Sequence, residues 1–407
     1  MSIWVKNKVE KQQPKYRREK LAVRIARYFI VVNTAGGIFN IQYVCRNPAV
    51  LIMPARSVHA GVKTLGRLRL QRGLRVADRL GAVTASARNG GCRSRPGRSE
   101  LLSDRAKLMV TMPVHIEPVD PAQQHLFAGL VTGVDLTRRL SDHEVAGIHA
   151  GIDRFGVLVF RGQRLDDEQQ IAFSRQLGPL EQATGDIAAP QDRRVSMEVN
   201  DISNLDKHGE LLARDDRRRL FGLGNQLWHS DSSFKQVPAK YSLLSARKIP
   251  ASGGNTEFAD MRAAYDALDE ATQREVHDLI CSHSQIFSRA ILGFDDFSDA
   301  EREKWAPVRQ RLVRRHPVTG RLSLYLASHA GGIEGWPVPE ARAFLRDLTE
   351  HATQRQFVYA HVWQPWDLVM WDNRVTMHRA RRYDPMQVRD MRRTTLSNEV
   401  SSLDQAP

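Results

Sequence analysis

The sequence Asn225-Gln226-Leu227-Trp228-His229-Ser230-Asp231 places a histidine and a carboxylate two residues apart. The run is predicted to be a strand, and side chains at positions i and i+2 of a strand point to the same face. We therefore expect His229 and Asp231 to converge on one point, as two ligands of one metal ion. The best candidate for a third ligand is His378, 147 residues after Asp231, in Trp371-Asp372-Asn373-Arg374-Val375-Thr376-Met377-His378.

Two histidines and one carboxylate on one side of a metal leave the other side open, an arrangement typical of non-haem Fe(II) sites. His-x-Asp alone is a weak motif, because it arises often by chance and a surface His/Asp pair explains most instances. The chain has 14 histidines, so a single histidine is weak evidence too. His329 could face a substrate, but a structural role is the simpler interpretation. The case for a metal site therefore depends on the conjunction of the two stretches.

The chain after Met112 has the pattern of one mainly β domain with inserted helices. Helices are predicted over 136–152, 166–177, 261–281 and 339–353, and a loop, hypothetically a lid, over 201–224. Short strands are predicted over 156–162, 195–200, 225–231, 240–246, 255–258, 322–326, 357–363, 368–371 and 394–398. Many short strands with few helices favour an antiparallel sandwich or a jelly roll, and we predict a jelly-roll (double-stranded β-helix) core.

The basic character of the chain belongs to its first quarter. Residues 1–108 hold 23 Lys and Arg against 5 Asp and Glu, whereas residues 109–407 have a net charge of −4. Residues 1–108 are predicted to be a disordered extension, separate from a catalytic domain at 109–407. A nucleic-acid-binding arm, an organelle-targeting segment and an over-long reading frame starting upstream of Met109 are the competing interpretations, and we favour the last.

The remaining bulk properties indicate an ordinary cytoplasmic protein. The three cysteines are widely spaced and odd in number, which fits a reducing compartment. No apolar run reaches the ~20 residues that a membrane span needs. We therefore predict a cytoplasmic location, with no membrane and no nucleic acid as partner.

Five motifs together resemble the taurine dioxygenase / 2,4-dichlorophenoxyacetate dioxygenase family of Fe(II)- and 2-oxoglutarate-dependent oxygenases, over about 112–400. They are Trp228-His229-Ser230-Asp231, Gly253-Gly254-Asn255-Thr256, Arg315-His316-Pro317-Val318-Thr319-Gly320, the stretch 371–378, and the arginines Arg389 and Arg393.

The resemblance implies a role for each matching residue. His229, Asp231 and His378 would bind Fe(II). Thr256 and Arg389 would bind 2-oxoglutarate, and Asn225 would lie near the co-substrate and the substrate. Arg393 would hold the anionic group of a small-molecule substrate, and O₂ would be the second co-substrate. A guanidinium suits such carboxylates because it donates two parallel hydrogen bonds. Family members are often dimers or larger, so a homo-oligomer is expected.

The substrate is predicted from how the chain departs from the taurine-specific members. Their substrate-binding histidine and tyrosine correspond to Ala183 and Asp186 here, which argues against taurine. The resemblance is greater to the phenoxyacetate branch, which would oxidise an aryloxyalkanoate such as 2,4-dichlorophenoxyacetate to a phenol and glyoxylate, with release of succinate and CO₂. A sulfonate or sulfate ester is the alternative substrate, and a non-catalytic jelly-roll ligand-binding protein is the alternative of another class.

Overall fold

In the computed structural model, residues 114–122, 127–183 and 190–405 are described in full, and four strands before residue 55 by their backbone. The chain divides into two compact units, Met1–Leu108 and Met109–Pro407. In the first unit the described strands form an antiparallel sheet in chain order: β1 (Lys20–Ile25), β2 (Tyr28–Ala35), β3 (Ile38–Val44) and β4 (Val50–Pro54). The sequence predicts disorder for residues 1–108, whereas these four strands are regular secondary structure. The rest of that prediction lies outside the described residues.

The second unit, where described, is built on a seven-stranded sheet. All neighbours in it are antiparallel except the second and third strands. From edge to edge its strands are β5 (His115–Pro118), β6 (Gly129–Thr132), β7 (Val157–Phe160), β17 (Leu368–Asp372), β9 (Ala239–Lys248), β19 (Asp390–Ser397) and β8 (Asn200–Asp201).

Three smaller antiparallel sheets complete the described strands. The first consists of β16 (Val358–His361), β10 (Thr256–Asp260) and β18 (Thr376–Ala380), the second of β12 (Val308–Arg311), β11 (Ile280–His283) and β15 (Ala330–Ile333), and the third of β13 (Val313–Arg315) and β14 (Leu322–Leu324).

Eight α-helices lie within the described residues. They are α1 (Asp142–Phe155), α2 (Asp167–Leu177), α3 (Arg217–Gly222), α4 (Met261–Asp266), α5 (Glu270–Val276), α6 (Gln285–Ala290), α7 (Asp299–Lys304) and α8 (Val338–Ala352). Helices α1 and α2 begin with reciprocal capping boxes, Ser141 with Glu144 and Asp166 with Gln169, which satisfy backbone donors at the helix start. None of these helices combines the length and apolar character needed to span a bilayer.

Both faces of the large sheet are buried against other elements, and this packing determines where the candidate site lies. One face packs against α1 and α2 through side chains such as Ile148, Ile152 and Phe173. The other face packs against the β16-β10-β18 sheet, where Phe258 and Tyr359 meet Trp371 and neighbouring residues of the large sheet. The strands β9, β19 and β18 thus bring residues that are far apart in sequence to the interface of two sheets.

Several predicted elements are corrected. The helix predicted over 261–281 is interrupted, because Asp269 caps a new helix by accepting from the N–H groups of Ala271 and Thr272, and it ends in β11. The strand predicted at 195–200 is wrong except at Asn200, the first residue of β8. The predicted loop at 201–224 contains α3. The helices predicted at 166–177 and 339–353 are confirmed within one residue by α2 and α8.

Candidate metal centre

His229 and His378 are joined by an isolated β-bridge. The backbone N–H of His229 donates to the carbonyl of His378 at 3.0 Å, and the reverse bond is 2.8 Å. The prediction of a strand over 225–231 is wrong. A 3₁₀ turn occupies Leu223–Gln226, and the chain turns after Asp231, where Ser232 has a φ of 53°. One bridge is nevertheless enough to bring the two imidazoles to one face.

Asp231 completes a cluster of three potential ligands. One ligand atom from each of His229, Asp231 and His378 lies within 4.8 Å of the other two. The carboxylate oxygens of Asp231 are 3.8 Å from Nε2 of His229 and 3.7 Å from Nε2 of His378. All three side chains are buried. The predicted convergence of His229 and Asp231 with the distant His378 is therefore present in the structure.

The hydrogen bond of His229 favours coordination through its Nε2. Nδ1 of His229 lies 2.7 Å from the carbonyl of Leu227, so it carries the proton and leaves Nε2 free, the usual arrangement of a metal-bound imidazole. Nδ1 of His378 is buried and makes no hydrogen bond. Burial lowers the pKa of both histidines, which keeps the rings neutral and able to bind a metal. Two neutral imidazoles and a carboxylate form a donor set that fits Fe(II).

The carboxylate of Asp231 is held ionised by its neighbours. Burial alone would raise its pKa, but the guanidinium of Arg393, together with the hydrogen bond from Ser242, outweighs burial and holds the pKa at about 2. Nη1 of Arg393 donates to Oδ1 of Asp231 at 2.5 Å. The hydroxyl of Ser242, on β9, donates to Oδ2 at 2.8 Å. Both oxygens of the carboxylate are thus fixed in position.

A small polar network supports this carboxylate. The side chain of Asn373 accepts from the backbone N–H of Asp231 and from Nε1 of Trp371, both at 3.0 Å, and its amide donates to Ser242 at 3.0 Å. Asn373 lies in the stretch singled out from the sequence, but no motif indicated Ser242. A serine on a buried strand has no recognisable pattern unless the fold is known.

A cavity of about 550 Å³ opens beside the cluster. Among its described lining residues are nine arginines and only four carboxylates, so it attracts anions. Arg389 is buried at its wall, and its backbone N–H donates to Asn204 at 2.8 Å. Arg393 and Asn225 also line the cavity, as do Ala183 and residues of the predicted loop 201–224. Asp186 lies outside the described residues.

Thr256 differs from the other predicted site residues. It begins β10 and is opposite Ala380 of β18, two residues beyond His378. Its hydroxyl is buried and accepts a hydrogen bond from Nε1 of Trp363 at 3.1 Å. Thr256 and His378 are not among the residues that line the cavity. The structure therefore places Thr256 beside the strand of the third ligand, whereas Arg389, Arg393 and Asn225 face the cavity itself.

A second cluster of potential ligands, Asp153, His316 and Asp372, is held together by hydrogen bonds and ion pairs. Nδ1 of His316 accepts from the backbone N–H groups of Val318 and Thr319 at 3.3 and 3.1 Å. The proton is therefore on Nε2, which donates to Asp372 at 3.2 Å. Arg374 supplies the compensating charge, with Nη2 2.6 Å from Asp372. This cluster joins α1, the 316–319 turn and β17 without a metal.

Comparison with known proteins agrees with this geometry. Residues 115–395 match the family model "Taurine catabolism dioxygenase TauD, TfdA family". The chain is 48% identical over 290 residues to the alpha-ketoglutarate-dependent 2,4-dichlorophenoxyacetate dioxygenase of Cupriavidus pinatubonensis, covering 71% of this chain and all of that protein. It is 38% identical over 260 residues to the (S)-phenoxypropionate/alpha-ketoglutarate-dioxygenase of Delftia acidovorans, covering 62% and 86%.

A solved structure gives the same result. The chain is similar to the crystal structure of AAD-2 in complex with Mn(II) and N-oxalylglycine, with 53% identity and a TM-score of 0.69, covering 72% of this chain and all of that one. Both the extent and the level of identity confirm the resemblance read from the motifs. The chain belongs to the taurine catabolism dioxygenase TauD, TfdA family.

Proposed function

We propose that this protein is an Fe(II)- and 2-oxoglutarate-dependent dioxygenase that hydroxylates an aryloxyalkanoate such as 2,4-dichlorophenoxyacetate. The products would be a phenol, glyoxylate, succinate and CO₂. The observation that carries the proposal is the buried cluster of His229, Asp231 and His378, of which His229 and Asp231 line an arginine-rich cavity. The names of the two relatives, which act on 2,4-dichlorophenoxyacetate and (S)-phenoxypropionate, support the substrate class.

Each predicted site residue has a role in this proposal. His229, Asp231 and His378 hold the iron, which when bound supplies the activation of O₂ coupled to decarboxylation of 2-oxoglutarate. Arg389 binds the distal carboxylate of 2-oxoglutarate, because it is a buried cation whose side chain donates only to the carbonyl of Ile202, at 3.3 Å, among the described residues. Thr256, which is paired with β18 near His378, would contribute its hydroxyl to 2-oxoglutarate.

The cavity positions the substrate next to the metal centre. Arg393 attracts the substrate carboxylate, and Asn225 lies at the boundary between co-substrate and substrate. Apolar residues of the same cavity would pack against the aryl ring, among them Val199, Leu205, Phe221 and Phe234. These contacts hold the carbon next to the ether oxygen close to the metal and exclude water, which is the main contribution of the protein to such a reaction.

Oxygen uptake tests the proposal directly. The protein is supplied with Fe(II) and 2-oxoglutarate and presented with 2,4-dichlorophenoxyacetate, phenoxypropionate, taurine and an alkyl sulfate. We expect substrate-stimulated succinate and phenol with the aryloxy acids only. Sulfite or sulfate release instead would favour the alternative substrate class. Absence of any 2-oxoglutarate decarboxylation with added Fe(II) would support a non-catalytic binding protein.

Some finer predictions belong with this proposal. We propose that the two packed sheets of the second unit form a jelly-roll core, since all their neighbouring strands but β6 and β7 are antiparallel and the two sheets enclose one hydrophobic layer. We also propose that 109–407 is the catalytic domain, and that the protein is a cytoplasmic homo-oligomer. Sedimentation of the purified protein tests the oligomer, and cell fractionation tests the location.

A further inference from the structure

Arg289, the fifth residue of α6, is a buried cation without a carboxylate partner. It is 5% exposed, and its Nε is buried without a hydrogen bond. Its Nη1 donates to Oγ of Ser288 at 3.0 Å, and no acidic side chain of the described part of the chain forms an ion pair with it. Burial, together with the charge of Arg393, lowers the pKa of Arg289 to about 10, so it stays charged at neutral pH. A buried charge is costly unless paired, which indicates that a ligand supplies the anion.

The guanidinium of Arg289 occupies a space that its neighbouring residues leave for it. It lies over the ring of Phe221, 4.4 Å from the centroid, a favourable stacking for arginine. A Cβ at Gly224 would approach three atoms of this guanidinium to 2.3–2.4 Å, so the absence of a side chain at 224 makes the space that it fills. The position is therefore built by α3, the 3₁₀ turn and α6 together.

Arg289 lines the same cavity as Asp231 and Arg393. The hydroxyl of Ser288 donates to the carbonyl of Gln285 at 2.8 Å, which leaves its oxygen to accept from Arg289. Nδ1 of His329 lies 2.9 Å from the same oxygen, and the ring of His329 is 6.0 Å from that of His229. One serine thus links the unpartnered arginine to a histidine beside the metal centre.

Arg389 and Arg393, which also line the cavity, already have a partner or a proposed role. Arg393 donates to Asp231, and Arg389 is proposed to bind the distal carboxylate of 2-oxoglutarate. We infer that Arg289 is a substrate-binding residue, whose guanidinium receives the carboxylate of the anionic substrate together with Arg393. This inference rests on the proposed function, and it adds a residue that belongs to none of the sequence motifs.

Binding of an acid and of its neutral analogue tests the inference. The Mn(II) and 2-oxoglutarate complex of the full chain is titrated without O₂, by calorimetry, with 2,4-dichlorophenoxyacetate and with its uncharged amide. The wild type is compared with Arg289→Met and with Arg342→Met. Arg342 also stacks on an aromatic ring of α6, Phe287 at 4.6 Å, but it is exposed and outside the cavity.

We expect Arg289→Met to weaken binding of the acid about 10- to 100-fold, the usual loss for a charge-assisted hydrogen bond. Amide binding should change by less than about threefold, because the amide carries no charge for Arg289 to bind. Arg342→Met should bind both like the wild type. Equal weakening of acid and amide by Arg289→Met would indicate a structural role and overturn the inference, as would an unchanged affinity for the acid.

Two further readouts keep the test decisive. Arg289→Lys retains the charge and should recover part of the acid affinity if Arg289→Met proves unstable in thermal melting. A wild type that binds the acid in an Arg289-dependent manner but releases no phenol would remove the proposed substrate reaction and leave the inference standing. A wild type that binds neither the aryloxy acid nor an alkyl sulfate would overturn it.

Discussion

Asp231, a proposed metal ligand, also contacts several fixed groups. Its carboxylate receives hydrogen bonds from Ser242 and Arg393, and its backbone N–H donates to Asn373. A buried carboxylate needs such donors, because burial disfavours its charged form. The same donors fix its orientation towards the two imidazoles, which matters because ligand orientation depends on these outer contacts.

Ser242→Ala is expected to weaken metal binding without unfolding the protein. The substitution removes the donor to Oδ2 of Asp231 and leaves the three ligands in place. Loss of such an outer hydrogen bond lowers metal affinity by roughly 10-fold or more. Titration with Fe(II) or Mn(II) measures this. Ser245→Ala is the control, since Ser245 is on the same strand but donates to Gln170; equal metal affinities in the two variants would contradict the role of Ser242.

Arg389→Met is expected to raise the KM for 2-oxoglutarate by about 10- to 100-fold, because a charge-assisted contact to the distal carboxylate is lost. The affinity for the aryloxy acid should change much less. Steady-state kinetics with each substrate varied in turn measure the two effects. Arg392→Met removes a neighbouring arginine that pairs with Asp201 and Asp390 outside this contact. Should Arg392→Met raise the 2-oxoglutarate KM as strongly, the assignment of Arg389 would fail.

Sequence reasoning found the residues that belong to motifs and missed those that do not. His229, Asp231 and His378 could be predicted because their spacing and neighbours are distinctive, and the structure brings them together. Ser242 and Arg289 could not, since serine and arginine are common and their roles depend on which strands and helices become neighbours. These contacts are tertiary, and a single sequence has no local pattern for them.

At the scale of elements, the 3₁₀ turn Leu223–Gln226 links α3 to the first ligand. It replaces the strand that the sequence predicts, and it carries Asn225 and Gly224 to the cavity. The strand prediction relied on alternation in a seven-residue run, whereas the chain makes a single bridge at His229. The conclusion drawn from alternation, that the side chains of residues 229 and 231 converge, holds because Asp231 follows the bridged His229 by two residues and its carboxylate lies 3.8 Å from Nε2 of that histidine.

Gly224→Ala is expected to impair substrate binding more than stability. The new methyl group would meet the end of a flexible side chain, the guanidinium of Arg289, which can move at small energetic cost but then leaves its position. We expect a roughly 10-fold higher KM for the aryloxy acid and a melting temperature near that of the wild type. Gly222→Ala, where a Cβ meets no atom within 4 Å, is the matched control. An unchanged KM in Gly224→Ala would argue against the inference that Arg289 must keep its position to bind the substrate.

Helices whose apolar spacing is unbroken were predicted more accurately than the segment 261–281, where a capping residue starts a second helix. Helices α2 and α8 have clear start signals and helical apolar spacing, and their bounds are close to the prediction. The predicted helix 261–281 contains a cap at Asp269 that its apolar periodicity concealed. β19 begins four residues before the predicted strand at 394, because its pairing with β9 outweighs the local preference of an arginine-rich segment.

The cluster of Asp372, Arg374 and His316 is expected to stabilise the fold. Asp372→Asn would remove the close ion pair of the buried guanidinium of Arg374 and leave only the carboxylate of Asp153, 3.7 Å from Nη2, at a cost of up to about 3–5 kcal/mol. Urea unfolding at pH 7 measures the difference from the wild type. Asp266→Asn breaks the exposed pair with Arg321 and should cost less than about 1 kcal/mol. A similar small loss for Asp372→Asn would mean that the cluster is not stabilising.

The same cluster predicts a sign for the acid dependence of stability. Burial would raise the pKa of Asp372, but Arg374 and His316 hold it far below its usual range. A carboxyl with a depressed folded-state pKa stabilises the protein above its unfolded pKa of about 3.9, and this contribution is lost as the pH falls further. Unfolding free energies measured from pH 5 to pH 3 should therefore fall more steeply in the wild type than in Asp372→Asn.

At the scale of the whole molecule, the excess of basic residues and the proposed site residues lie in different parts of the chain. Residues 1–108 carry a net charge of +18, and residues 109–407 carry −4. Every described residue that lines the cavity lies between 181 and 393, and the matched family segment ends at 395. The composition of the whole chain, with its pI near 10, therefore says little about the second unit, whose cavity is lined by nine arginines.

Removal of residues 1–108 is expected to leave catalysis intact. The second unit contains the metal ligands and the complete described cavity, so kcat/KM for both 2-oxoglutarate and the aryloxy acid should stay within about twofold of the full chain. Retention on a heparin or DNA column should fall, because the basic charge is removed. Steady-state kinetics and salt elution of both proteins measure these outcomes. A folded 109–407 protein with a more than tenfold loss of kcat/KM would show that the first unit contributes to the site, and the assignment of the catalytic domain would have to include it.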